Sequence, residues 1–162
     1  MNSINKVKIL SVAMVLGLAI FVSFVQAEPM DITNCSSGTT NVLIATDELT
    51  MMTTDVKGIT RDNLDSKFFD NMTYHAIGLF KVMGGKRYGT TMVKFMAPNG
   101  DYFIVEATYS PEGATAPFLL GTGKFKGITG NCESKPITSG KPIVPGTTQG
   151  CTRVTGNYEF KK

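Results

Sequence analysis

A chain of 162 residues, 42% of them apolar and 18% charged, with a formal charge of +3, is long enough to bury one sizeable core and lacks the basic excess of a nucleic-acid binder. Its single histidine and three widely spaced cysteines exclude the clustered ligand patterns of a metal site, so neither a metal nor a cofactor is expected.

The first element is an export signal. Asn5-Lys6-Val7-Lys8 is a short positive region, Ile9 to Val25 is almost wholly apolar, and Val25-Gln26-Ala27 places small residues where a signal peptidase cuts. Residues 1–27 read as a signal peptide and 28–162 as a single domain, which sends the protein to the periplasm or outside the cell with no stable membrane span after cleavage. The apolar run is long for a cleaved signal, so a retained anchor is the alternative. Cleavage removes Lys6, Lys8 and no acid, taking the formal charge from +3 to +1. Asp31-Ile32-Thr33-Asn34 ahead of Cys35 is no lipid-attachment context.

Beyond Thr40 the apolar residues recur mostly at spacing two, among abundant Val, Ile, Thr, Tyr and Phe. This predicts an all-β fold, with strands near 31–37, 41–46, 48–54, 72–83, 87–97, 101–109, 118–128 and 153–160. Arg61 to Asn71 reads as a turn of helix or as a loop. In "MVKFMAPNGDYFIVEATY", Pro98 rules out a two-residue turn on Asn99-Gly100, because the preceding residue must donate an N–H. A type I turn centred on Pro98 and Asn99, with Gly100 left-handed, suits all three residues. The register then sets Phe95 opposite Phe103, Val93 opposite Val105 and Thr91 opposite Ala107 on one apolar face. The other face pairs Met96 with Tyr102, Lys94 with Ile104 and Met92 with Glu106, with Lys94 and Glu106 as diagonal ion-pair partners.

"GTGKFKGITG", Gly121 to Gly130, is no phosphate loop. Lys126 takes the place of the third dinucleotide glycine, and Phe125 follows Gly123-Lys124 where a Walker loop needs Ser or Thr. Read as a strand, it puts Gly121, Gly123, Phe125 and Gly127 on one face, a ring between glycines that suits a tightly curved barrel wall. Cys132 and Cys151 flank "ESKPITSGKPIVPGTTQG", a composition typical of a long loop. In an oxidising compartment their pairing would remove about 3 kcal/mol of unfolded-chain freedom. That is the favoured disulfide, with Cys35 left as a buried thiol or an intermolecular partner. Pairings of Cys35 with either of the others stay open.

The Gly121–Gly130 stretch, after Phe118-Leu119-Leu120, resembles the G-x-G-x-[FY] strand of the dirigent and allene oxide cyclase proteins, and the "APNGDYFIVEATY" hairpin is compatible with bacterial secreted members of that calycin-like superfamily. The resemblance implies an antiparallel, about eight-stranded closed barrel with an apolar cavity, acting on hydrophobic small molecules without a cofactor, and a possible homo-oligomer.

No Ser-His-Asp order or carboxylate pair stands out. His75, in "TYHAIGLFKV", and Glu106, beside Lys94, are the candidate catalytic acid–base groups. Met92, Tyr102 and Glu106 are the candidate ligand-binding residues. Tyr74 and Tyr109 offer further hydroxyls, and Met51, Met52 and Met96 further adaptable apolar surface. Asn34-Cys35-Ser36 and Asn71-Met72-Thr73 match the glycosylation pattern. The first functional expectation is a barrel that binds a hydrophobic small molecule in its cavity. A cyclase or isomerase acting in that cavity is the second, and a structural or protein-interaction module the third.

Overall fold

A computed structural model describes residues 27–161. The expected signal peptide, apart from Ala27, lies outside the described residues. Among the described residues eight strands follow in chain order: β1 (Glu28–Ala45), β2 (Leu49–Asp62), β3 (Thr73–Met83), β4 (Lys86–Met96), β5 (Tyr102–Ser110), β6 (Gly113–Gly121), β7 (Ile128–Ser139) and β8 (Thr147–Phe160). A short 3-10 turn, Gly123–Phe125, separates β6 from β7. Each strand pairs antiparallel with the next, and β1 pairs with β8, so the sheet closes into an eight-stranded barrel. No described helix is long and apolar enough to cross a membrane.

Period-two patterning decides which side chains fill the barrel. On the β4–β5 hairpin Phe95↔Phe103, Val93↔Val105 and Thr91↔Ala107 are paired and buried, while Met92↔Glu106 and Lys94↔Ile104 face out, in the register expected from the sequence. Gly100 has φ +90°, and the Ala97 N–H donates to the Asp101 carbonyl at 2.8 Å, so Pro98 sits where no donor is needed.

Three strand expectations are corrected. The segments 31–37 and 41–46 are one strand. Gly38 does not break it but lets β2 approach, since a Cβ there would lie 2.7 Å from the Val56 Cα, and the register shift comes later, between Val42 and Ile44. The span 118–128 is not one strand: β6 ends at Gly121, and the chain turns through Gly123 and Gly127, at φ +50° and +80°, before β7 begins. A Cβ on Gly121 would overlap the Phe125 carbonyl, so these glycines serve the fold through a turn rather than a curved strand. The presumed loop after Cys132 is half strand, because Pro136 is absorbed where the β7–β8 ladder shifts register between Pro136 and Thr138.

One end of the barrel is plugged by rings. Asp62, 1% exposed, organises the β2–β3 loop by accepting from the Leu64 N–H at 2.9 Å and the Phe69 N–H at 3.0 Å. The Thr60 hydroxyl adds bonds to the Phe69 carbonyl and from the Met72 N–H, so 63–72 is a pinned loop with no helical turn. It carries Phe69 into the barrel end, 5.1 Å from Tyr158 and 5.8 Å from Phe103 between ring centroids. Phe125 meets Phe103 at 5.0 Å. Across this end Lys124 donates its Nζ to the Phe68 carbonyl at 2.8 Å and lies 4.5 Å from the Phe68 ring centroid.

Candidate functional site

The other end of the barrel is open. A cavity of about 520 Å3 runs from the Phe95 and Phe103 rings, past Ala76, Val93, Val105 and Ala107, to the exposed strand ends at Ser110, Gly113 and Ser139. On β4 the inward parity, from plug to mouth, reads Phe95, Val93, Thr91, Gly89, Arg87. Gly89 leaves the space that the Phe80 ring occupies, since a Cβ there would meet the Leu79 carbonyl at 2.6 Å and the Phe80 ring itself. Phe80 packs edge-on against Tyr109, centroids 5.1 Å apart, and the Arg87 guanidinium carbon lies 3.9 Å from the Phe80 centroid.

This apolar chamber therefore holds a small polar set. Burial pushes the phenols of Tyr109 and Tyr74 above their ordinary value, so both remain O–H groups able to donate at neutral pH. Arg87 is exposed at the mouth; partial desolvation there pulls its guanidinium down, the Tyr109 phenol opposing it, yet arginine starts so high that it stays charged. Among the described residues no carboxylate forms an ion pair with Arg87. Asn34, 6% exposed, lines the cavity with Oδ1 lacking a hydrogen-bond partner, and Thr91, 4% exposed, has only the Tyr109 phenol near its Oγ1. Asn34 thus faces the interior, which withdraws it as a glycosylation acceptor in the folded barrel.

The residues singled out from the sequence sit elsewhere. Met92, 49% exposed, faces out opposite Glu106, and Tyr102 lies beneath Lys94, whose Nζ is 4.2 Å from the ring centroid. Among the described residues Lys94 and Glu106 form no ion pair. His75, with a side chain 44% exposed, also lies on the outer wall and bonds through Nε2 to Asp55 Oδ1 at 2.9 Å. That bond, helped by the Lys57 charge, holds the Asp55 carboxyl below its usual range. Thus Met92, Tyr102, Glu106 and His75 are absent from the cavity wall, whereas Tyr74, Tyr109 and Met52 are part of it. The β4–β5 candidates Met92, Tyr102 and Glu106 lie on the outer face: a polar set looks functional, whereas the apolar face of the hairpin is the barrel's interior. Arg87 went unnoticed although the same alternation, followed two steps beyond Thr91, turns it inward.

The disulfide expectation is also corrected. Cys35 on β1 and Cys151 on β8 are direct cross-strand partners, Cα atoms 4.1 Å apart, and are bonded to each other. Cys132 is the free thiol, 2% exposed, 3.3 Å from the Met30 sulfur and pushed by burial to about 12. At that value it is inert.

Among solved structures the chain is similar to the pterocarpan synthase dirigent protein, with a TM-score of 0.50 and 12% identity over 88% of this chain and 95% of that one. The likeness is one of fold, and the chain has a dirigent-like barrel. No protein-family model matches the sequence, and no curated protein does.

Proposed function

We propose that this protein is exported to the periplasm or the cell exterior and binds a hydrophobic small molecule inside its barrel. The observation that carries the reading is the cavity: about 520 Å3, with an apolar floor, walls of aliphatic side chains interspersed with Ser and Thr, and open at one end. That is the size and chemistry of a small-ligand site, with a few polar groups to set orientation. Export is supported by the Lys6–Ala27 pattern and by a disulfide, a bond that persists in oxidising compartments. A fully packed interior, the mark of a purely structural module, is not what the barrel has.

The uncharged fluorophore N-phenyl-naphthylamine, which brightens in apolar surroundings, tests the reading. We expect saturable binding at one site, abolished by Ala107→Phe, which fills the chamber, with Ala114→Leu near the mouth as a second filling variant. No saturable binding to the wild type, or binding unchanged in both folded variants, would overturn it. Tyr109 with the Thr91 hydroxyl beside it, and the orphaned Asn34, support a second reading, cofactor-independent cyclisation or isomerisation of the bound molecule. A copurifying metabolite converted by ligand-free protein into a new chromatographic peak of equal mass would establish it.

A further inference from the structure

We infer that the ligand of this cavity is an anionic amphiphile, its apolar body directed toward the aromatic floor and its carboxylate- or sulfonate-type acid group held at the mouth by Arg87. The inference rests on the binding reading above and adds the charge of the ligand to it.

The argument starts from how the chain treats its arginines. Of the three in the sequence, Arg153 grips Asp31 through two nitrogens, and Arg61 lies 3.7 Å from Asp70. Arg87 alone lies on an inward parity, exposed at the cavity mouth, at the end of a strand whose other inward residues are Phe95, Val93, Thr91 and Gly89. It finds the face of Phe80 rather than an acid. Asp47, Glu48 and Glu112 lie in the turns at this end of the barrel, all three exposed, and none pairs with it.

A guanidinium stacked on a ring keeps its N–H edge free. That planar fork matches the two oxygens of a carboxylate or sulfonate. Tyr109, ring to ring with the same Phe80, has a phenol that stays protonated and can donate to the same group. Deeper in the chamber Asn34 Oδ1 is buried and unpartnered, and the buried Thr91 Oγ1 has only the Tyr109 phenol near it. A wall built for hydrocarbon alone would not carry such groups, because each costs free energy until something bonds to it. The polar demand therefore has a direction, with a cation at the mouth and rings at the floor, and a molecule with one acidic end answers it.

Two fluorophores sharing one skeleton test this: anilinonaphthalene sulfonate and its uncharged counterpart N-phenyl-naphthylamine. On the wild-type protein we expect the sulfonate to bind about tenfold tighter, the worth of a charge-assisted bond at a partly exposed site. In Arg87→Gln the ratio of the two affinities should fall to near unity. In Lys86→Gln, which removes the neighbouring charge on the opposite parity, the ratio should persist. A second measurement needs no variant: dodecanoate should displace the neutral fluorophore from wild-type protein at about tenfold lower concentration than dodecanol. Equal affinities for the two fluorophores, a preference that survives Arg87→Gln, or equal displacement by acid and alcohol would each overturn the inference and leave cavity binding standing. Binding of neither fluorophore would overturn the cavity reading and this inference with it.

Discussion

Replacing Cys35 and Cys151 together by serine should lower the thermal midpoint substantially. The two residues are 116 apart in sequence, so on the chain-entropy model their bond withholds about 5 kcal/mol of freedom from the unfolded chain, against about 3 kcal/mol for the much shorter loop between Cys132 and Cys151. Losing a native disulfide in practice costs about 2–5 kcal/mol. For a domain of this size each kcal/mol moves the midpoint by about 3–4 °C, so the double variant should melt about 6–20 °C lower. Circular dichroism melts of wild type, the double serine variant and Cys132→Ala give the comparison. Cys132→Ala removes only a buried sulfur and should cost about 1 kcal/mol, or about 3 °C. If Cys132→Ala proved the more damaging change, or if a non-reducing peptide map linked Cys132 to another cysteine, the assignment and the register it depends on would be refuted.

Phe125→Ala should destabilise the barrel by about 3–5 kcal/mol in denaturant titration, because its ring is 0% exposed and packs on Phe103 and Phe69 in the plug. Asp31 is held below the usual carboxyl range by its bond to Arg153, so the pair's contribution is fully present above about pH 4 and is lost as pH falls toward the depressed folded value. Arg153→Gln should therefore flatten the fall of the melting midpoint below about pH 4, and an unchanged acid slope would count against the pair. Met92→Ala and His75→Ala, both on the outer wall, should change stability by less than about 0.5 kcal/mol and leave fluorophore binding as in the wild type. Weaker binding in either would mean the cavity is not where the ligand sits.

The barrel was legible where alternation and turn chemistry agreed. In 92–109 one parity carries Val93, Phe95, Phe103, Val105 and Ala107 inward, and Pro98-Asn99-Gly100 admits one turn, so the register followed from the sequence. It was illegible where glycine and proline have two uses. Gly38 serves close approach within a strand, Gly123 serves reversal, and Pro136 is carried in a ladder at a bulge, yet in sequence all three read as punctuation. The disulfide lay beyond reach for a different reason: Cys35 and Cys151 are neighbours only because the ring closes, and no local pattern states which strand meets the first. The cavity residues failed as candidates through parity. Asn34, Thr91 and Arg87 look ordinary in sequence, and only the barrel makes them converge.

The closing ladder runs through twelve register pairs, from Glu28↔Tyr158 to Thr39↔Thr147. Until β8 is in place, β1 and β7 are bare edges of an open, curling sheet, and such edges accept strands from any chain nearby. A newly made molecule therefore chooses between its own last strand and a neighbour's, and dilution favours self-closure. The same adjacency makes the ring indifferent to where it is cut. A short linker from the end of β8 back to the start of β1, with new ends opened between Gly84 and Gly85 in the β3–β4 turn, would rewrite the order of synthesis while keeping every rung of the ladder.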